Sequence, residues 1–234
     1  MSRLEVKEVE TSKSKIRQPP DAEHENIPAL GSGSIVCGRT GSGKSVLLSN
    51  LLQRYKGYVK RYVLISPTAK IDDIAKSFNV KAEDRIEDLK EAVDFLQALM
   101  DEQAGKLEKR DNDKVDQIIV ILDDVVGDSH FLNSPQFTRI FVGGRHFNLT
   151  TFLATQSWTA IPRKVRLQAV NIFMFAASNS EVGILYEEFA PPGVERKRFT
   201  KMFLWATKEA YSFLYINLRS KHPWRKTLKT RFAL

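Results

Sequence analysis

The sequence predicts an α/β domain on a mostly parallel central sheet with helices packed on both faces, and three observations predict it. From Ser34 onward, short apolar runs alternate with longer stretches of helical periodicity, the pattern of repeated strand–helix units. Residues 118–122 are apolar without interruption, as in a strand buried on both sides. A glycine-rich octapeptide separates the first strand from the first amphipathic helix, the junction at which parallel α/β sheets bind phosphate. A chain of 234 residues suits one such domain better than two.

The elements follow in order. Residues 1–33 are polar, carry Pro19-Pro20 and Gly31-Ser32-Gly33, and lack sustained periodicity, which predicts a flexible arm. A strand is expected over 34–37, then a helix over 45–55 with Leu47, Leu48, Leu51 and Leu52 on one face. Residues 61–66 form a second strand ended by Pro67, and Leu89, Val93, Leu96 and Met100 mark a helix over 86–104 that Gly105 should end. A polar loop over 105–116 leads into the strand at 117–122. Three further strands are expected at 149–155, 171–176 and 212–218, with helices near 134–145, 180–189 and 194–203. The domain is thus expected to span 34–218, followed by a basic tail over 219–234.

Charge is distributed unevenly. Residues 191–234 hold eleven lysines and arginines against two acids, whereas the preceding 190 residues are almost balanced. A single cysteine, Cys37, excludes an internal disulfide framework and reads as a small core residue. No histidine has metal-ligand spacing. No apolar run approaches the length of a membrane span and the N-terminus lacks the apolar core of a cleaved signal, so a soluble, non-secreted protein without a membrane partner is expected.

The octapeptide Gly38-Arg39-Thr40-Gly41-Ser42-Gly43-Lys44-Ser45 fits the phosphate-loop pattern. Its glycines let successive backbone N–H groups face phosphate, and the helix starting beyond Gly43 adds favourable potential. Lys44 is then placed for the β- and γ-phosphates of ATP, Ser45 for Mg2+, and Val46 for the first turn of the binding helix. Such a loop needs a carboxylate at the end of a neighbouring buried strand, and Asp123-Asp124 follows residues 118–122 directly. Asp123 is the candidate metal ligand. Asp124 is the candidate for orienting or deprotonating the attacking water, unless it merely caps the strand end.

Four features together resemble the FtsK/HerA superfamily of DNA-pumping P-loop ATPases, and most closely the poxvirus-type genome-packaging ATPases of large eukaryotic DNA viruses and virophages. They are residues 38–45, the strand ending in Ser66-Pro67-Thr68, the Asp123-Asp124 pair, and Gly144-Arg145-His146 leading through a strand into Thr155-Gln156. The resemblance implies a RecA/FtsK-like fold, ATP hydrolysis with Mg2+, and translocation of double-stranded DNA into a preformed capsid by a homo-oligomeric ring. It implies a γ-phosphate sensor at Gln156 and, at Arg145, an arginine presented to the neighbouring subunit's nucleotide; a helix-end arginine satisfying carbonyls is the alternative there. A capsid vertex or portal protein is the implied docking partner, and virions or cytoplasmic assembly sites the implied location. Aspartate at 124, where many members carry glutamate, is one methylene shorter and puts its reach in doubt. With only about 45 residues after the helix ending near Phe189, the expectation is a motor without the C-terminal nuclease region of the large terminases.

Sequence-independent DNA binding needs cations facing phosphates. Two sets are candidates: the loop residues Lys56, Lys60, Arg61, Lys109 and Arg110, and the tail residues Arg219, Lys221, Arg225 and Lys226. Either set could instead be a solvated face or, for the tail, a surface for an acidic partner. A cellular or plasmid translocase would share every residue named, and an ATP-switched assembly protein with little turnover would share the phosphate loop.

Overall fold

A computed structural model describes residues 16–69, 73–109, 115–228 and 230–231. In chain order the elements are α1 (Pro20–Glu23), β1 (Gly33–Cys37), α2 (Lys44–Arg54), β2 (Arg61–Ile65), α3 (Asp73–Ser77), β3 (Arg85–Ile86), α4 (Leu89–Lys109) and β4 (Ile118–Asp123). They continue as α5 (Ser129–Asn133), α6 (Pro135–Gly143), β5 (Leu149–Thr155), α7 (Arg163–Arg166), β6 (Asn171–Met174), α8 (Asn179–Phe189), α9 (Arg196–Ala206), β7 (Leu214–Asn217), β8 (Trp224–Lys226) and β9 (Thr230–Arg231). The strands form one sheet in the order β3-β2-β4-β5-β1-β6-β7-β8-β9. Pairing is parallel from β3 through β6 and antiparallel from β6 through β9. The expected α/β class and mostly parallel sheet are therefore present.

Side-chain alternation along the strands divides the interior into two layers. Ile118, Val120 and Leu122 of β4 join one apolar cluster with α4, α6, α8 and α9, while Ile119 and Ile121 join the other with α2 and α3. In β1, Ile35 and Cys37 point to the first layer and Val36 to the second. The central strands β1, β5 and β6 are buried along their whole length and β4 up to Asp123, and the parallel members present all their carboxyl ends along one edge.

Three expectations are corrected. The described part of the supposed arm is packed: Ala22, Ile27 and Leu30 are buried, and Gln18 clamps Leu30 by accepting from its N–H (2.7 Å) and donating to its carbonyl (3.2 Å). Residues 1–15 lie outside the described residues. The basic tail continues the sheet as β8 and β9, with Trp224 and Arg225 buried. Ser220 and Arg225 hydrogen-bond to Glu25 (2.6 Å) and Asn26 (3.2 Å), so the two terminal segments hold each other. Finally, α4 runs through Gly105 to Lys109. No described helix is long and apolar enough to cross a membrane.

Candidate nucleotide site

The phosphate loop joins β1 to α2 at the carboxyl edge of the sheet, and its glycines are required by space and by backbone angle. A Cβ on Gly38 would lie 2.6 Å from Ser42 Oγ and 2.7 Å from Phe175 Cβ, and Gly43 enters α2 at φ +100°, in the left-handed region. No side chain caps the N-terminus of α2, and its first turn has no acid. Ser42 Oγ is buried with no hydrogen-bond partner among the described residues. Uncapped N–H groups, an orphaned hydroxyl and a loop that excludes side-chain bulk together fit a bound phosphate chain.

Lys44 folds back across the loop, its Nζ donating to the carbonyls of Gly38 (2.7 Å) and Arg39 (3.2 Å). Burial pushes its pKa below the ordinary lysine value of 10.5, against the opposing pull of Asp123 and, more weakly, of Cys37 and Asp124. Burial, with Glu181 adding to it, drives the Cys37 thiol up to about 12, and that thiol is an inert core group.

The sheet order brings the rest of the site together. β5 lies between β1 and β4, so the residue following β5 stands between the phosphate loop and the acidic pair. That residue is Gln156. Its Oε1 accepts from Thr40 Oγ1 in the loop (3.0 Å), and its Nε2 reaches Asp124 Oδ1 at 3.5 Å. Asp124 is held in the left-handed region at φ 54°, a conformation aspartate tolerates better than most residues, and this turns it from the line of β4. A cleft of about 410 Å3 is lined by Thr40, Lys44, Ser45, Asp123, Asp124 and Gln156. Gly41, Gly43 and Val46 also border it, with four residues outside the expected site set: Thr68, Tyr211 and, at the end of β5, Ala154 and Thr155. Thr68 could be anticipated as the end of a neighbouring parallel strand. Tyr211 has no local signal.

Among the described residues no three or more His, Cys, Asp or Glu side chains gather as a metal cage. The hard oxygens of Ser45 and Asp123 suit Mg2+, which commonly takes one or two protein ligands and completes its shell with phosphate and water.

Arg145 does not enter this cleft. It lies in the 3-10 turn Gly144–Phe147 before β5, at the amino edge of the sheet, about 20 Å from Gln156 by the rise of the strand. There it lines a small cleft of about 180 Å3 with Gln168 and Arg219. Arg219 has its pKa lowered, first by burial and then by the charge of Arg145.

The proposed DNA-contacting cations divide. Arg61 is committed within the chain, bonded to buried Asp84 (2.7 Å) and to Glu102 (3.0 Å), which raise its pKa. Arg225 is 1% exposed and hydrogen-bonded to Asn26 and Ser220, so neither arginine is a free surface cation. Lys226 pairs with Glu209 (2.6 Å) and Lys60 with Asp116 (2.9 Å). Lys56, Lys109, Arg219 and Lys221 are exposed. Arg110 lies outside the described residues. The loops carrying Lys56, Lys60, Lys109, Arg219 and Lys221 are at the amino edge, across the sheet from the nucleotide cleft.

The profile of the family described as Poxvirus A32 protein matches residues 33–215. The chain belongs to the poxvirus A32 protein family. That is the viral genome-packaging ATPase family which the sequence motifs resemble. One relative of this A32-family chain is uncharacterized protein 075L of invertebrate iridescent virus 6, 26% identical over 196 residues, covering 80% of this chain and 70% of the relative. Another is uncharacterized protein 015R of frog virus 3 (isolate Goorha), 24% identical over 152 residues, covering 64% of this chain and 45% of the relative. This chain therefore aligns with less than half the length of the frog virus protein.

Among solved structures, B204, the DNA-packaging ATPase of Sulfolobus turreted icosahedral virus, superposes with TM-score 0.59 at 16% identity, over 82% of this chain and 95% of B204. B204 of the related virus 2, in complex with ATP-gammaS, gives TM-score 0.57 at 17% identity over 81% and 93%. EssC ATPases 2 and 3 of Geobacillus thermodenitrificans give TM-score 0.54 at 13% identity, over 83% of this chain and 38% of that one. The A32-family chain thus has the P-loop ATPase fold of the FtsK/HerA type.

Proposed function

We propose that this chain hydrolyses ATP with Mg2+ to drive double-stranded DNA into a viral capsid, working as a homo-oligomeric ring docked at a capsid vertex or portal. The observation that carries the hydrolytic part is Gln156, bonded to Thr40 on one side and reaching Asp124 on the other. That side chain spans the two walls between which a γ-phosphate and its attacking water would lie. Lys44 and the backbone of residues 38–45 bind the phosphates and neutralise charge as it develops on the γ-oxygens. Asp124 orients the water and accepts its proton as the water oxygen bonds to the γ-phosphorus and ADP departs. Ser45 and Asp123 would hold Mg2+, which when bound would supply further charge neutralisation.

The ring is supported by Arg145, which is too far from its own cleft to act there and exposed enough to serve a neighbour's. DNA phosphates are then assigned to the amino-edge cations Lys56, Lys60, Lys109, Arg219 and Lys221.

ATP turnover of wild type, Lys44→Ala and Arg145→Ala tests these assignments, each alone and wild type doped with a minority of Arg145→Ala, with and without double-stranded DNA. The expected result is stimulation of wild type by DNA, loss of about 100-fold or more in Lys44→Ala as for other charge-stabilising groups, and more than proportional poisoning by Arg145→Ala. Turnover indifferent to DNA, with mixtures behaving as averages, would overturn the ring motor.

A further inference from the structure

Beside the phosphate loop a second cleft of about 460 Å3 opens at the carboxyl edge, sharing Gly43, Val46 and Tyr211 with the polar cleft. Its character is different. Leu47, Phe175 and Phe213, all buried, line it together with Leu228. On the rim Val46 and Tyr211 are 66% and 72% exposed, an apolar pair that folding leaves in water. The volume is within the range of pockets that take small organic ligands.

Two of the walls are strained. Tyr211 has φ 62° and Thr227, across the cleft, has φ 53°. An aromatic residue in the left-handed region is an outlier, and such strain persists where surrounding structure fixes it, often at ligand sites. Both backbones are fixed: Ser212 donates through its N–H (3.1 Å) and hydroxyl (2.7 Å) to the Glu209 carbonyl, and the Thr227 N–H donates to the Phe213 carbonyl (2.9 Å). As a result the Tyr211 ring is held against the loop, where a Cβ on Gly43 would meet its Cδ1 at 3.1 Å.

We infer that this cleft is the nucleobase subsite and that Tyr211 supplies the face on which the base stacks. The inference rests on phosphate binding at residues 38–45, because a nucleotide anchored there has its sugar and base leaving past Gly43 and Val46. Few groups are available to read the base edge. Asn50 spends its Nδ2 on the Val46 carbonyl (2.8 Å), and Arg54 is paired with Asp21. Recognition is therefore mainly by ring area, and purines bind better than pyrimidines.

Calorimetric titration of the full chain with Mg-ADP, Mg-GDP, Mg-CDP and inorganic Mg-tripolyphosphate tests this. Tyr211→Gly is expected to weaken ADP about tenfold, as loss of one base–aromatic stack does, and to leave tripolyphosphate binding unchanged. Its melting temperature should not fall, since glycine relaxes the left-handed backbone. Tyr211→Phe should bind ADP like wild type, and wild type should bind both ADP and GDP more tightly than CDP. Unchanged ADP affinity in Tyr211→Gly, or equal weakening of ADP and tripolyphosphate, overturns the base subsite while phosphate binding stands. If wild type binds no tripolyphosphate, or Lys44→Ala binds it equally well, the phosphate site itself is wrong and the base subsite falls with it.

Discussion

Glu181, in the first turn of α8, secures the loop that follows Gln156. Its carboxylate accepts from the N–H groups of Trp158 (2.9 Å) and Ser178 (3.2 Å) and from the Ser178 hydroxyl (2.9 Å), completing a capping box. Burial alone would raise its pKa, but these bonds outweigh burial and hold the carboxyl below 4.5. A depressed carboxyl contributes stability above its unfolded pKa and loses it as pH falls through the folded value. Glu181→Gln should therefore cost about 1–2 kcal/mol at pH 7, and the deficit should narrow below pH 4.5 as the wild-type group protonates; urea unfolding of both proteins at pH 7 and pH 4 checks this. That Lys44, Ser45 and Asp123 line one cleft was legible in the sequence because their placement depends on near neighbours: a loop of fixed length, and an acid at the end of an apolar strand. Tyr211 was not, because its contact with Gly43 is made between residues 168 positions apart and only tertiary structure sets it.

Among the elements, β8 is the one whose sequence concealed it most. Trp224, Arg225 and Lys226 sit in a run dense with cations, and charge density reads as a solvated tail. In the fold Trp224 is 7% exposed and packs edge-on against Phe199 of α9, with centroids 6.0 Å apart. Trp224→Ala should cost about 3–5 kcal/mol, the usual range for deleting a buried aromatic; a free tail would give less than about 0.5 kcal/mol. Chemical denaturation distinguishes the two. α4 shows the opposite failure, a stop signal overridden by context. Glycine within a helix costs about 1 kcal/mol, yet Gln103 anchors the last turns by donating to the carbonyls of Asp116 and Phe147, each at 3.0 Å. By contrast β4 needed no context, since its apolar run from Ile118 to Leu122 is continuous and lies between Gln117 and Asp123-Asp124.

At the scale of the molecule, the nucleotide cleft occupies the carboxyl edge of the sheet, while Lys56, Lys60, Lys109, Arg219 and Lys221 occupy the amino edge. Arg219→Ala and Lys221→Ala should each lower the salt slope of DNA binding by about one, and weaken all duplex sequences alike; filter binding at several salt concentrations measures both. The placement was hidden in the sequence because adjacent loops of a strand–helix chain alternate between the two edges, so closeness along the chain to a nucleotide-binding strand says little about closeness to nucleotide. The seven residues of β5 set the distance between the edges at about 20 Å. In physiological salt the Debye length is about 8 Å, so a change of charge at one edge is almost fully screened at the other. The sheet therefore acts as an insulator: whatever passes between its two edges travels as displacement of packed elements, and raising the salt concentration should weaken grip on a polyanion without severing that transmission.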